Sequence, residues 1–529
     1  MFKEVIHKLR KAISKAVAVG VVVIVVIAII GVVAYLATRP TPTTSPTTPT
    51  TPTTSPTTPT TSPTSPTTSP TTPTSPTTLT TPTTPTTTTT SPTTPTKPVV
   101  LRVLTRHPQD IRDKAREAFL ASEIAKEYNI VDVEIVYLPS GFWKGYIESG
   151  KPDVAWGGGP TLFDYLYTEG LLAPLTSDFV LSAVKDIPDV VAGVPMKRVS
   201  PDGKIYWVAA AIASFGFTVN HQRLEEYGLD IPKSWIDLAT PEMGRTLVEF
   251  GEPSLGIADP TASTSNTRMY EIILQRYGWV EGWKILTLMA ANARIYEGSS
   301  EVRDAVIRGE IAVGITIDFY GYTAELTNPS CEYIAPEGDT IVNGDPIALL
   351  KTSQNPEAAQ AFIAWVLTEG QKIWLDPNIN RLPANPKVFE TPEGQKRPDL
   401  KEAFEKALEL KAMNFNDTLA LMYETAMQYY FKATLVDVND RLKEVWIAIL
   451  SKYFAGEISE DELEYFINKL GDTLTFVDPE TRETVKFTQE YAISINEKIT
   501  KDAAFRDEMT HIWKNAAIEK YDAILEELS

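Results

Sequence analysis

Pro152–Gly170 reads PDVAWGGGPTLFDYLYTEG, and this order of segments decides the fold. A short apolar run, Pro152–Trp156, breaks into Gly157-Gly158-Gly159-Pro160, and a helix-like run, Thr161–Gly170, follows. Upstream, Val99–Thr105 (VVLRVLT) reads as a short buried strand. Asp110 to about Tyr128 reads as helical, and Val131–Leu138 (VDVEIVYL) alternates as a strand. Strands alternating with helices give an α/β fold with a mostly parallel sheet, and ligands then sit beyond the carboxyl ends of the strands. His107, Ser140-Gly141 and the triple glycine all fall just past such ends. Downstream, a second unit of this kind starts around Phe217. It holds a helical stretch after Ser265, a strand at Ala312–Ile317 and a loop at Asp318–Tyr322. A strand returns at Val342–Leu350 (VNGDPIALL), and amphipathic helices run almost to the C-terminus. Two α/β lobes joined by strand crossovers imply a cleft between them.

Composition narrows the function. The chain has 529 residues, of which 43% are apolar. That exceeds what one core holds, since single cores stop growing near ~250–300 residues. The formal charge is −19 although Lys3, Lys8, Arg10, Lys11, Lys15, Arg39 and Lys97 all precede Pro98, so the remainder is more acidic still. Such a surface repels phosphate backbones, which excludes nucleic-acid binding. One cysteine, Cys331, rules out an internal disulfide framework, and four histidines without a Cys/His cluster give no metal-site motif. No GxxxxGK[ST], HExxH, GxSxG or GxGxxG sequence occurs, so no cofactor is expected and the common NTPase, protease and hydrolase signatures are missing. Asp437-Val438-Asn439-Asp440 lacks the glycine and the final acid of a calcium loop and reads as a helix N-terminal cap. Tyr429-Tyr430, beside Tyr423, Met427 and Phe431, reads as packing.

Ahead of the folded part lie an apolar segment and a stalk. Ala16–Leu36 carries no charge, and about 20 such residues span a bilayer core of ~30 Å. The preceding basic residues put the N-terminus in the cytoplasm and the rest outside. A cleaved secretory signal and an archaeal class III, pilin-like signal around Lys11-Ala12-Ile13-Ser14 are the alternatives. Pro40–Pro98 is Thr, Pro and Ser except for Leu79 and Lys97. It buries nothing and folds into nothing, but extended as polyproline II it reaches on the order of 180 Å. Its hydroxyls suit O-glycosylation, and Asn416-Asp417-Thr418 is an N-glycosylation sequon. The expected layout is a basic head at 1–15, an anchor at 16–37 and a stalk at 38–98. Lobe 1 follows at 99–216, lobe 2 at 217–341, and a return to lobe 1 with C-terminal helices at 342–529.

The candidate site residues cluster at strand ends and helix starts. Thr261–Thr267 (TASTSNT) runs straight into the helical segment Arg268–Tyr277. Ser263, Thr264, Ser265 and Asn266 there exceed the needs of one cap and suit an anion or a hydroxyl-rich ligand. Gly158 and Gly159 let a ligand approach the backbone and offer N–H donors. Ser299 and Ser300 precede another helical stretch, Glu301–Arg308. Asp318 and Tyr320 follow the Ala312–Ile317 strand and bring a carboxylate and a phenol to the cleft, and His107 ends the first strand.

Taken in order, four stretches resemble the family 1 extracellular solute-binding proteins of ABC importers, in particular the ferric-ion-binding-like subgroup. They are Asp153–Leu175, Ala258–Trp279 (ADPTASTSNTRMYEIILQRYGW), Ser299–Ala324 (SSEVRDAVIRGEIAVGITIDFYGYTA) and Asn343–Leu350. With the anchor and stalk, the chain is similar to an archaeal surface binding protein. The resemblance implies a type II periplasmic-binding-protein-like fold of two lobes that closes on one small solute. It also implies an ABC permease with its ATPase as partners, and no enzymatic activity. Iron-binding members hold the metal with an adjacent tyrosine pair, a carboxylate and often a histidine. Here the pair reads Phe319-Tyr320, and Trp156–Gly159 offers no acid. An oxygen-rich, anionic solute is therefore expected: a phosphonate, phosphate ester or carboxylate. Ferric iron held by Tyr320 and His107 is the alternative, and a surface-tethered hydrolase or structural protein the remaining one.

Overall fold

Residues 97–529 are described by a computed structural model. The basic head, the anchor at 16–37 and all but the last two residues of the stalk lie outside the described residues. Among those described, no helix is long and apolar enough to cross a membrane.

The first lobe is built on three parallel strands, β1 (Val99–Thr105), β2 (Ile130–Tyr137) and β3 (Val154–Trp156), with β1 between the other two. The long strand β4 (Ile205–Asn220) then leaves it. A second parallel set follows, β5 (Leu255–Ala258), β6 (Ala293–Tyr296) and β7 (Val313–Ile317), with β5 central. β8 (Cys331–Ile334) and β9 (Val342–Leu350) complete the path, whose spatial order is β6-β5-β7-β4-β9-β3-β1-β2, with β8 also on β4. β4 is the shared element. Its residues up to Ser214 pair antiparallel with β9, ending at Ser214 opposite Val342, and from Phe215 it pairs with β7. Every residue of β4 from Trp207 on is buried, which explains why it reads as an unbroken apolar run with no alternation.

The helices that matter below are α1 (Gln109–Ala121), α2 (Pro160–Thr168), α3 (Thr264–Tyr277), α4 (Ser299–Ile307), α5 (Asp318–Thr327) and α6 (Pro356–Leu367). Five more follow: α7 (Asp417–Phe431), α8 (Asn439–Phe454), α9 (Glu460–Gly471), α10 (Gln489–Lys501) and α11 (Ala503–Leu528). Pro160 opens α2, where its missing N–H costs nothing. The helical stretch read over Asp110–Tyr128 breaks at Ser122, whose hydroxyl caps a short second helix, Glu123–Glu127. The loop read at Asp318–Tyr322 is instead the first turn of α5. The expected cap at Asp437–Asp440 also gives way. A π-helical turn, Lys432–Val436, precedes it, Asp437 lies 3.3 Å from Lys432, and Val438 is the N-cap of α8 with no capping side chain.

Two main cores result. Phe119, Trp156, Phe362, Trp365 and Trp374 fill the first lobe. Met269, Ile272 and Trp283 of the second lobe are covered by Tyr423, Met427, Tyr430, Trp446 and Trp513 from α7, α8 and α11. The C-terminal helices are thus fastened to the second lobe, with Tyr430 stacked on Phe487 at 3.6 Å between ring centroids. Each large apolar side chain fully buried there contributes about 1.5–3 kcal/mol.

Candidate functional site: the inter-lobe cleft

The carboxyl ends of β1, β2 and β3 share one edge of the first lobe, and those of β5, β6 and β7 share one edge of the second. Contacts between these edges show that they face each other. Arg381 of the first lobe lies over the Phe319 ring of α5 at 5.1 Å. Asn380 Nδ2 donates to Thr323 Oγ1 (3.2 Å), and Arg268 Nη2 donates to Thr161 Oγ1 (2.6 Å). The lobes therefore meet in a closed arrangement.

On the second lobe, two helix N-termini converge. The Ser263 hydroxyl caps α3 by accepting from Asn266 N and lies 2.9 Å from Ser299 Oγ, at the start of α4. Ser299 Oγ is 2.5 Å from Ser265 Oγ and accepts from Asn266 Nδ2 at 2.8 Å. Asn266 Oδ1 accepts from Ala258 N (2.9 Å), which fixes the amide. Gly298, ahead of α4, has no side chain to cap that helix, so both positive helix ends bear on the serine cluster. The structure thus unites Ser263, Ser265, Asn266 and Ser299. Thr264 is exposed, and Ser300 turns its hydroxyl to Glu301 at 2.9 Å.

On the first lobe, several expectations need correction. Gly157, Gly158 and Gly159 all have positive φ (76°, 119° and 86°), but their N–H groups are not offered to a ligand. Gly158 N and Gly159 N donate to Asp345 Oδ1 at 2.8 and 3.2 Å, and Gly157 N donates to Pro346 O. Asp345 Oδ2 pairs with Arg381 Nη2 at 2.6 Å. Burial pushes the Asp345 carboxyl up, but Arg381, His107 and the two glycine N–H groups outweigh it and hold the carboxyl below the usual range. His107 is buried edge-on against Trp156, with ring centroids 4.5 Å apart, and its Nδ1 lies 3.1 Å from Arg381 Nη1. Burial drives its pKa down to about 3, against the pull of Asp345. It is a buried, neutral part of the wall whose Nε2 makes no hydrogen bond among the described residues. A Cβ at Gly157 would meet His107 Nε2 at 2.6 Å, which explains a glycine there.

Asp318 is likewise not a free carboxylate. It is fully buried, and its Oδ2 accepts from Ser214 N (2.7 Å) and Ser214 Oγ (3.3 Å) while Oδ1 accepts from Phe319 N. Burial raises it to about 7. Its role is to tie α5 to β4 at the residue where β4 changes partners. Tyr320 is half-buried, with Arg303 over its ring at 4.9 Å, and burial holds its phenol above the usual range. Burial thus disfavours the Tyr320 phenolate, and Arg381 occupies the Nδ1 side of His107 while His107 Nε2 has no hydrogen-bond partner among the described residues. Among the described residues, no group of three His, Cys, Asp or Glu is placed to hold a metal.

The residue that sequence reasoning missed is Arg106, one position past β1. It is half-buried and lies over the Tyr137 ring at 5.3 Å, at the end of β2. Its stem passes the triple glycine closely enough that a Cβ at Gly158 would meet its Cγ at 2.8 Å. Among the described residues it makes no hydrogen bond or ion pair, and loss of water lowers its pKa despite Tyr137 and Glu424 nearby. A basic residue just beyond a strand end, in so acidic a chain, was the available signal.

Comparison with known proteins gives a consistent set of similarities. A model of the family described as bacterial extracellular solute-binding protein matches residues 108–373. The phosphoglycerate transport regulatory protein PgtC of Salmonella typhimurium is 27% identical over 246 residues, which are 46% of this chain and 57% of that protein. The chain thus spans a little over half the length of the curated relatives it matches. Among solved structures, the periplasmic binding protein AfuA of Actinobacillus pleuropneumoniae, with fructose-6-phosphate bound, is 19% identical. The match covers 59% of this chain and 98% of that one, with a TM-score of 0.44. Iron-bound HitA of Pseudomonas aeruginosa is 21% identical, covering 54% and 87%, with a TM-score of 0.43.

Proposed function

Because the chain belongs to the bacterial extracellular solute-binding proteins, we propose that it is the solute-binding component of an ABC importer and captures a small oxyanion in its inter-lobe cleft. The observation that carries the ligand class is Arg106, a half-buried cation at the strand-end edge that makes no hydrogen bond or ion pair among the described residues, with the Glu424 carboxylate acting on it only through space. A half-buried guanidinium without a hydrogen-bonded partner gains from an anion that contacts it directly. The serine cluster and two helix N-termini on the opposite lobe supply hydroxyl and N–H groups for the ligand's other oxygens. A phosphate ester, phosphonate or carboxylate fits this pairing, and the matched relative named for phosphoglycerate transport agrees with it.

Capture works by hinge closure without covalent chemistry. β4 at Ser214–Phe215 and the chain returning into β9 at Val342 are the two crossovers, and a ligand touching both lobes favours closure by its differential affinity alone. The closed form is handed to a permease driven by a cytoplasmic ATPase. The apolar segment 16–37 anchors the chain in the membrane as a single pass. The Thr/Pro/Ser stalk, of archaeal type and suited to O-glycosylation, then holds the binding domain outside the cell.

Thermal shift of the full chain with 3-phosphoglycerate, fructose 6-phosphate, phosphate, a phosphonate, citrate and ferric citrate tests this reading. Ligand at 100 times Kd adds about 2.7 kcal/mol. A rise with one of the oxyanions supports the proposal, and a rise with ferric ion alone contradicts it.

A further inference from the structure

The helix α7 lies outside residues 108–373, yet it reaches across the cleft. Its buried face (Ala420, Tyr423, Ala426, Met427 and Tyr430) is embedded in the second-lobe core. Its first residue, Asp417, accepts a hydrogen bond at Oδ1 from the hydroxyl of Thr161, in the first turn of α2 on the other lobe. Arg268 of α3 donates to the same hydroxyl oxygen at 2.6 Å and lies 3.3 Å from Asp417 Oδ1. Arg268 is held in turn by Glu271 at 3.1 Å and by the Phe415 ring beneath it at 4.8 Å. Thr161 therefore accepts from one second-lobe residue and donates to another. α2 follows the triple glycine directly and α3 starts at the serine cluster, so this stitch runs along the flank of the cleft.

The distribution of charge makes the stitch reversible. Both ions, Arg268 and Asp417, sit on the second-lobe side and remain paired when the lobes part. The first lobe contributes only a neutral hydroxyl, which water can satisfy. An ion pair split across the cleft would instead strand two charges and lock the lobes together.

We propose that α7 is a latch: Asp417, acting with Arg268 on Thr161, biases the two lobes toward the closed state before any solute arrives. The proposal rests on the reading of the cleft as one that opens and closes, not on the identity of the solute. Asp417 and Thr161 are positioning residues. Their removal lowers the closed population, and with it the apparent affinity, in proportion to the fraction competent to bind.

The test is single-molecule fluorescence transfer on the full chain without ligand, with dyes on Val131→Cys and Phe250→Cys, exposed positions on the first and second lobes. Cys331 is buried, and burial raises its thiol to about 11, so it stays unlabelled. Thr161→Val keeps shape and removes the hydroxyl. A hydrogen bond to charged partners is worth about tenfold in an equilibrium, so the closed-to-open ratio falls about tenfold. Asp417→Asn, which keeps an acceptor, produces a smaller fall, and Thr161→Ser restores the ratio. An unchanged ratio in Thr161→Val, with its melting curve intact, overturns the latch, and so does a ratio that Thr161→Ser fails to restore. If the ratio falls while none of the oxyanions above binds, the latch stands and the solute reading fails.

Discussion

Replacing Asp345 by asparagine tests the frame on which the first-lobe wall is built. An asparagine has the same size, and its amide oxygen still accepts from Gly158 N and Gly159 N. What it removes is the charge 2.6 Å from Arg381 Nη2, in a pair whose side chains are 7% and 9% exposed. A buried guanidinium left without its partner costs about 3–5 kcal/mol, which at this chain length lowers the Tm by roughly 3–6 °C. Calorimetry of wild type, Asp345→Asn, Arg381→Met and the double variant measures the coupling. The double variant recovers part of the loss, because removing both partners strands neither. The pH dependence has a definite sign. The Asp345 carboxyl is held below its ordinary value, so its contribution is complete above about pH 4 and disappears only as pH falls through the lower folded value. The gap between wild type and Asp345→Asn therefore persists at pH 5. A Tm change under about 2 °C, or a gap that closes between pH 7 and 5, would mean that the Asp345–Arg381 pair does not hold this wall together.

His107 and Asp318 give stability slopes of opposite sign. The His107 pKa is about 3 when folded, so its stabilising contribution is complete above about pH 6.5 and fades as pH falls toward 3. Urea titrations of His107→Gln should lose that acid-side slope, up to about 1.4 kcal/mol per pH unit. Asp318 is raised to about 7, so wild type loses stability as pH rises from about 4 to 7, and Asp318→Asn should not. Between pH 4 and 6.5 the two effects oppose each other in wild type. Parallel slopes for wild type and either variant would contradict that assignment.

How much of this was legible in the sequence follows the range of the interactions. β1 and β2 are encoded locally, by apolar runs and alternation, and lie where the sequence put them to within a residue, whereas α3 begins at Thr264, four residues ahead of the Arg268 read from the sequence, because Ser263 caps it. The first turn of α5 was read as a loop because Phe319, Tyr320, Gly321 and Tyr322 are poor helix formers, and burial against β4 overrides that preference. The serine cluster was visible because its members sit at two helix starts. Asp345 was hidden inside an apolar strand, and its partners at Gly158 and Arg381 lie far from it in the chain. Without that pairing, the glycine N–H groups look free and His107 looks available. Amphipathic spacing announced the C-terminal helices but said nothing of which lobe they cover, because a helix face carries no address.

Oxyanion capture by the cleft is measured by isothermal titration of the full chain and of Arg106→Gln with 3-phosphoglycerate, phosphate and citrate. Removing one charge-assisted contact of about 1.5–3 kcal/mol weakens binding about tenfold or more. At least one oxyanion should bind wild type with one-to-one stoichiometry, and Arg106→Gln should lose that affinity while its melting curve is unchanged. Equal affinity in both proteins, or binding of ferric ion in place of every oxyanion, would contradict oxyanion capture at Arg106.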